Sequence, residues 1–291
     1  MKKLVIGNHS GGRFAFLDMS GRFKPKVWGA LFRIGDRAAA HLWVLQWRKN
    51  SPNDRILIID DPFKEGSGDA IQLNATWLFA GLADEVWLTE HKDEHIDNPG
   101  AYPLYHTNLW RIWHWLRQHK TVEPTIQPKA ESLERAKQLL VQYKVPSRFA
   151  TLQPLFDAGY NKHRNAPVAW WRRLAECIRG DVPLVMVGSY GVGQQFGKLD
   201  GVYPLWDERL SPMDSLALIR LSSVHAGGET GLTLWSTMFK RPTVALYAQW
   251  KTMAIEPAAD CRPIPFGAPL EPAQLGGNEL VIAEQVKRML C

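Results

Sequence analysis

The sequence predicts an α/β chain built from doubly wound, Rossmann-like parallel sheets. Three observations lead there. Apolar runs of strand length alternate with helical periodicity along most of the 291 residues. Two runs, Arg55-Ile-Leu-Ile-Ile-Asp60 and Pro183 to Gly188, are almost continuously apolar, as strands covered on both faces of a parallel sheet are. Finally, the turn His225-Ala-Gly-Gly-Glu-Thr-Gly-Leu-Thr233 separates a short apolar run from a helix, so several backbone N–H groups lie unpaired in that helix's first turn.

The length allows two modest domains or one large one. A hydrophobic content of 45% and a charged content of 22% are ordinary for a globular protein. No run approaches the roughly 18 to 20 apolar residues of a membrane span. Met1 to Gly7 reads as a first strand, its apolar core being short for a signal peptide. Cys177, Cys261 and Cys291 are widely spaced and form no metal pattern, which fits a reducing, cytoplasmic setting.

The net charge of +6 is unevenly placed, because residues 1–55 hold 11 Lys and Arg against 3 acids. Such a surplus points to an anionic partner for the first half of the chain. His9, Arg13, Arg33 and Arg37 are its candidate contacts. The plainer alternative is a solvated basic face with no partner. Most of the 13 Trp are expected to pack, with some able to stack on sugars or bases.

In chain order, Leu4 to Asn8 and Arg13 to Leu17 flank His9-Ser-Gly-Gly12 as a β-hairpin. No Lys-Ser/Thr follows those glycines, which excludes a Walker-type phosphate loop. Val27 to Phe32 is the next apolar run and leads into Arg33-Ile-Gly-Asp36. Ala38 to Trp47 is helical, and Asn50 to Asp54 ends it with turn residues. The strand Arg55 to Asp60 follows, then a helix over Asp69 to Gly81 and a strand over Glu85 to Thr89. His91 and His95 stand near Asp93, Glu94 and Asp97, but Pro99-Gly100 argues against the helical spacing a metal pair needs, so no metal is expected. Tyr105 to His119 is an aromatic helix and Glu131 to Tyr143 a charged amphipathic one. A domain boundary is placed after residue 145, giving domains 1–145 and 146–291.

The second domain opens with the strand Phe149 to Leu152 and a basic loop over Gln153 to Arg164. The helix Trp170 to Ile178 and the strand Pro183 to Gly188 come next. Gly188-Ser-Tyr-Gly-Val-Gly193 reads as a turn shaping a pocket, its spacing being wrong for a dinucleotide fingerprint. A helix after Pro212 carries Leu216, Ile219, Arg220 and Ser223, and the Gly-rich turn follows. Leu232 to Phe239 is helical, and Arg241-Pro242 precedes the strand Thr243 to Tyr247. The tail from Ala258 is Pro-rich and ends in a helix over Asn278 to Leu290. At the Gly-rich turn, unpaired N–H groups and the helix macrodipole favour an anion such as a diphosphate. Glu229 is placed to accept hydrogen bonds from a ribose or sugar hydroxyl. The plainer alternative makes Glu229 and Thr230 an N-cap pair and the glycines only a turn.

Glu229, Thr230 and Gly231, with Arg241-Pro242 closing the helix, resemble the C-terminal nucleotide-sugar motif of GT-B glycosyltransferases. The likeness is to the heptosyltransferase-like family, of which this would be a divergent, short member. That family often has a His on the first turn of this helix, where this chain has Leu234 or Trp235. It also often follows the last strand with a Gly-Pro-Thr type turn, where this chain has Ala248-Gln-Trp-Lys251. Ile34-Gly35-Asp36, the helix after it and Lys49-Asn-Ser-Pro52 are similar to the family's N-terminal signature, although Arg37 replaces an apolar residue. On this alignment the likeness begins near Val27, and the hairpin stands before the family's first strand. Lys162, with Arg164 as deputy, matches the basic residue after the first strand of the C-terminal domain.

The resemblance implies a GT-B fold: two Rossmann-like domains facing one another across a cleft, with the last helix able to pack back on the first domain. It implies an inverting, metal-independent transfer of a sugar, with a nucleotide-sugar as donor and no further cofactor. Asp36 would be the general base. Independently, a carboxylate at the carboxyl end of a central strand lies where open α/β sheets bind ligands, though Asp36 could simply cap its helix. Lys162, Arg164, Gly188, Glu229, Thr230, Gly231, Leu232 and Thr233 would hold the donor. Domain 1–145 would take an anionic acceptor, which the family suggests is a phosphorylated glycolipid core, with peripheral contact to a membrane surface. Two alternatives stand beside this. Basic residues interleaved with Trp28, Trp43 and Trp47 would suit a modified base in DNA as acceptor, and the two departures would suit a non-catalytic sugar-nucleotide or anion-binding module.

Overall fold

The computed structural model describes residues 3–9, 13–16, 34–50, 52–53, 55–60, 74–88, 124–154, 165–228, 230–247 and 268–290. They form two compact units, the first ending at Pro124 and the second starting at Thr125.

The first unit contains strand β1 (Lys3–His9), strand β2 (Arg13–Phe16), helix α1 (Ile34–Asn50), strand β3 (Arg55–Asp60), helix α2 (Ala75–Leu78) and strand β4 (Glu85–Leu88). They make a four-stranded sheet in the order β2-β1-β3-β4. β1 and β2 pair antiparallel as the expected hairpin, while β1, β3 and β4 run parallel. β1 lies beside β3, with Leu4 opposite Ile56 and Ile6 opposite Ile58. The hairpin thus supplies β1 as one of the sheet's two interior strands, and α1 lies in sequence between the parallel neighbours β1 and β3. The run Val27 to Phe32 lies outside the described residues.

α1 begins earlier than the periodicity of Ala38 to Trp47 suggests. It buries Ala38, Ala40, Leu42 and Val44. Its carboxyl end is fixed by the Arg48 guanidinium, which donates to the Leu82 carbonyl at 2.8 and 3.0 Å and to Asp84 at 2.8 Å. Asp84 also accepts from the Ile56 N–H at 2.7 Å, so one carboxylate ties α1 to the start of β3.

The second unit comprises helix α3 (Ala130–Gln142), strand β5 (Ala150–Gln153), helix α4 (Val168–Arg179), strand β6 (Leu184–Met186), helix α5 (Tyr190–Phe196) and strand β7 (Val202–Tyr203). A 3₁₀ turn (Leu205–Glu208) leads to helix α6 (Pro212–Leu221), strand β8 (Val224–Gly228), helix α7 (Gly231–Met238), strand β9 (Thr243–Tyr247), strand β10 (Leu270–Gln274) and helix α8 (Glu279–Leu290). The sheet order is β10-β9-β8-β5-β6-β7, with every pair parallel. Numbered from β5, that is the 3-2-1-4-5-6 order of the doubly wound dinucleotide-binding sheet.

β5, β6 and β8 are buried at every position, the condition of interior parallel strands covered by helices on both faces. Trp171 and Trp235 are wholly buried, and Trp170 meets Trp171 edge-on at 5.0 Å. α6 starts with a capping box: Asp214 accepts from the Ser211 N–H and Ser211 Oγ accepts from the Asp214 N–H, each at 3.0 Å. Arg135 on α3 donates to the same carboxylate at 2.8 Å, and Tyr143 donates to Glu208 at 2.6 Å. These bonds attach α3 to the second unit, although the sequence places the boundary after it, at residue 145. α8 belongs there too. It buries Ile282, Ala283 and Val286 in the second unit's core, Trp170 Nε1 donates to the Gly277 carbonyl at 2.8 Å, and Arg148 donates to the Leu290 carbonyl.

Candidate functional site

In this strand order the chain leaves β5 toward one edge of the sheet, through β6, and leaves β8 toward the other, through β9. The carboxyl ends of β5 and β8 therefore mark the topological switch point, where open α/β sheets leave a crevice for ligands. β5 ends at Gln153, in register with Gly227 of β8.

α7 starts immediately beyond β8, with Thr230 as its N-cap. The Thr230 hydroxyl accepts from the Thr233 N–H at 3.4 Å and donates to Gln153 Oε1 at 2.5 Å. The N–H groups of Gly231 and Leu232 have no partner among the described residues, as first-turn helix geometry dictates. The helix has eight residues, enough for its macrodipole to favour negative charge at this end.

Under the turn lies a chain of buried polar groups. Thr151 Oγ1 is 3.0 Å from His225 Nδ1, and His225 Nε2 is 3.4 Å from Thr233 Oγ1. The Thr233 hydroxyl donates to the Gly228 carbonyl at 2.6 Å. His225, Thr151 and Thr233 are all wholly buried. Burial holds the His225 pKa down at about 3, so the imidazole is neutral at any ordinary pH. Gly227 is required by this packing. A Cβ there would stand 2.7 Å from Thr233 Oγ1 and 2.8 Å from His225 Nε2. The sequence reads Gly227 and Gly228 as part of the turn; the structure sets both in β8, with Gly227 making room for the imidazole.

The other sequence-derived residues divide by position. Gly231 and Leu232 open α7, and Leu232 is 4% exposed. The Thr233 side chain serves the turn from below. Leu234 and Trp235, which stand where the family often has a His, are wholly buried in the core, Trp235 against Phe239 at 5.6 Å between centroids. Gly188 follows β6, next to β5, with φ +132°. Ser189 then caps α5, so the segment read as a turn turns into a helix. Gly193 sits in it because a Cβ would meet Trp206 at 1.9 Å.

In the first unit, Asp36 is the third residue of α1, and His9 ends β1 opposite Arg13 in the hairpin register. Arg37 is 1% exposed, so the basic surplus is not displayed on an open face at that position. Lys162, Arg164, Glu229 and Arg33 lie outside the described residues, as do His91 and His95. Sequence reasoning missed Gln153 and the role of His225. The available signal was weak: Gln153 is the first long polar side chain after the apolar run of β5, and His225 is the only ionisable residue in an otherwise apolar strand.

A parallel sheet in this order, with a Gly-rich helix start at its switch point, defines a doubly wound α/β unit. Two solved structures are similar over nearly the whole chain. A glycosyl transferase of family 9 from Veillonella parvula matches with a TM-score of 0.57 at 12% identity, covering 88% of this chain and 94% of its own. The ADP-heptose LPS heptosyltransferase II of E. coli also gives 0.57, at 13% identity, covering 100% and 98%. The fold is thus that of the heptosyltransferase-like GT-B glycosyltransferases. No family model matches the chain, and no curated protein matches it by sequence.

Proposed function

We propose that this chain is an inverting, metal-independent glycosyltransferase that moves a sugar from a nucleotide-sugar to an anionic acceptor. The observation that carries the proposal is the switch point, where Thr230 bridges to Gln153 beneath the open N-terminus of α7. Its context supports it, since one similar structure is an enzyme named for ADP-heptose.

In this reading the diphosphate of the donor lies against the N–H groups of Gly231 and Leu232, and Lys162, with Arg164 beside it in sequence, adds positive charge from the loop after β5. Fixed dipoles and cations of this kind stabilise the charge that develops on a departing diphosphate. Glu229 accepts hydrogen bonds from the ribose, and Gly188 keeps the neighbouring strand end free of a side chain. Asp36 removes the proton from the acceptor hydroxyl as that oxygen attacks the anomeric carbon. The basic surplus of residues 1–55 draws in an acceptor bearing phosphate, and the three isolated cysteines suit a cytoplasmic enzyme. A modified base in DNA is the less favoured acceptor, because Trp43 and Trp47 pack against one another, with centroids 5.2 Å apart and planes tilted by 41°, and so spend ring surface on each other.

The test is transfer itself. Purified protein is incubated with a panel of nucleotide-sugars and either a phosphorylated glycolipid core or duplex DNA carrying hydroxymethylated bases, with products read by mass spectrometry. Sugar transfer to the phosphorylated glycan, lost in Asp36→Ala, is the expected result. Transfer that survives Asp36→Ala unchanged contradicts the assigned base, and transfer to DNA alone reassigns the acceptor.

A further inference from the structure

The buried polar chain under the Gly-rich turn has a direction, and that direction fixes what the switch point offers a ligand. Ser222 Oγ donates to the Ile219 carbonyl at 2.9 Å, so it can only accept from Thr151. The single Thr151 hydrogen has its shortest contact to His225 Nδ1, at 3.0 Å, against 3.3 Å to Ser222 and 3.4 Å to the Val224 carbonyl. A neutral imidazole that accepts at Nδ1 carries its proton on Nε2. That proton points at Thr233 Oγ1, whose own hydrogen is committed to the Gly228 carbonyl at 2.6 Å. Thr233 therefore has no hydroxyl hydrogen left for Thr230, and its N–H is the group that donates to Thr230 Oγ1. The Thr230 hydrogen goes to Gln153 at 2.5 Å, so the Gln153 atom in that contact is the carbonyl oxygen.

One group is left over. Gln153 is 9% exposed as a residue, and its Nε2 makes no hydrogen bond to any described residue. It carries two N–H donors at the end of β5, beside the unpaired N–H groups that open α7. An amide held by its carbonyl oxygen on Thr230 leaves both N–H groups open to an acceptor.

We infer that Gln153 is a ligand-binding residue that presents its amide N–H groups to an oxygen of the donor's diphosphate, and that Thr230 is the positioning residue that fixes the amide's orientation by donating to its carbonyl oxygen. This assignment rests on the donor-site reading above. It selects for a group that only accepts hydrogen bonds, as a phosphate oxygen does, and against a hydroxyl or amine presented as donor.

Calorimetry with ADP, UDP, GDP and CDP, each beside its parent nucleoside, tests it. Wild type binds at least one diphosphate more tightly than its nucleoside. Gln153→Glu keeps the side chain's shape and the bond from Thr230 but puts a negatively charged oxygen where the N–H groups stood. It lowers diphosphate affinity at least ~10-fold and leaves nucleoside affinity within about 3-fold, because only the charged group meets the changed atom. Equal losses for diphosphate and nucleoside, or no loss for either, overturn the assignment while leaving the donor site standing. Failure of every diphosphate to bind wild type overturns the donor-site reading and the assignment with it. The positioning role has its own readout in Thr230→Val: a fall in diphosphate affinity with nucleoside affinity kept supports it, and unchanged diphosphate affinity overturns it.

Discussion

The Thr230 hydroxyl lies 2.5 Å from Gln153 Oε1, joining the carboxyl ends of β5 and β8 across the point where the sheet reverses its winding. One side chain thus caps α7 and holds the neighbouring strand end. Thr230→Val keeps the size and removes both functions, so thermal unfolding should show a loss of about 1–2 kcal/mol, within the range for a lost N-cap plus an orphaned partner. Thr230→Ser retains the hydroxyl and should stay within about 0.5 kcal/mol of wild type on the same principle. Equal losses in the two variants would show that the hydroxyl is not what matters.

Two buried histidines give the stability a definite pH dependence. Burial lowers the pKa of His225 to about 3 and that of His41 to about 4, the latter partly offset by its bond to the Leu78 carbonyl. Both folded values lie below the ordinary 6.5, so between that pH and the folded pKa the unfolded chain binds more protons than the native one. Stability therefore rises with pH through this window and is lost as pH falls through it. Each histidine contributes on the order of 3–5 kcal/mol to the loss once pH has fallen below its folded pKa. Unfolding midpoints measured from pH 7 down to pH 4 should fall, and His225→Gln should flatten the slope. A flat profile in wild type would contradict the burial of both rings.

Neighbouring glycines in α5 should behave oppositely. A Cβ on Gly193 would meet Trp206 at 1.9 Å, whereas nothing stands within 4 Å of one on Gly191. Gly193→Ala should cost about 1–3 kcal/mol through overpacking. Gly191→Ala should gain about 0.5–1 kcal/mol from helix propensity. The two melting curves, taken together, check the packing of α5 on the 3₁₀ turn.

The Arg135–Asp214 pair predicts an asymmetry. The Asp214 side chain is 3% exposed and also accepts from the Ser211 N–H, while the Arg135 side chain is 47% exposed. Asp214→Ala should cost about 2–3 kcal/mol, since it removes the capping box as well as the ion pair. Arg135→Ala should cost no more than about 1 kcal/mol, because its charge is largely solvated. Comparable costs would mean that the ion pair, not the cap, dominates.

What the sequence made legible follows from where each signal is local. The interior strands β3 and β5 and the strand β9 are apolar runs bounded by turn residues, and α6 and α7 carry Ser/Thr caps, so these were readable, whereas β8 takes in His225 to Gly228, which the glycines made read as turn. β10 was not readable either. Leu-Glu-Pro-Ala-Gln contains Pro272 and has little apolar content, and it forms a strand only because it lies at the sheet's edge, paired with β9 alone. α5 was masked by Gly191 and Gly193. The pairing of β1 with β3 was missed because strands distant in sequence meet through topology, which no local pattern encodes. In the site, Thr230 and Gly231 were visible as a motif. Gln153 and His225 were not, because their significance is a register between β5 and β8 and a direction of hydrogen bonds.

The central claim is that the switch point of the second unit holds a nucleoside diphosphate. Thermal unfolding of the full chain with saturating ADP, UDP, GDP and CDP tests it most directly, because a ligand that binds only the native state stabilises it by about 2.7 kcal/mol at a hundred times its dissociation constant. The account predicts a rise in Tm of a few degrees with at least one of them, diminished in Gln153→Glu. No rise with any of the four would contradict it.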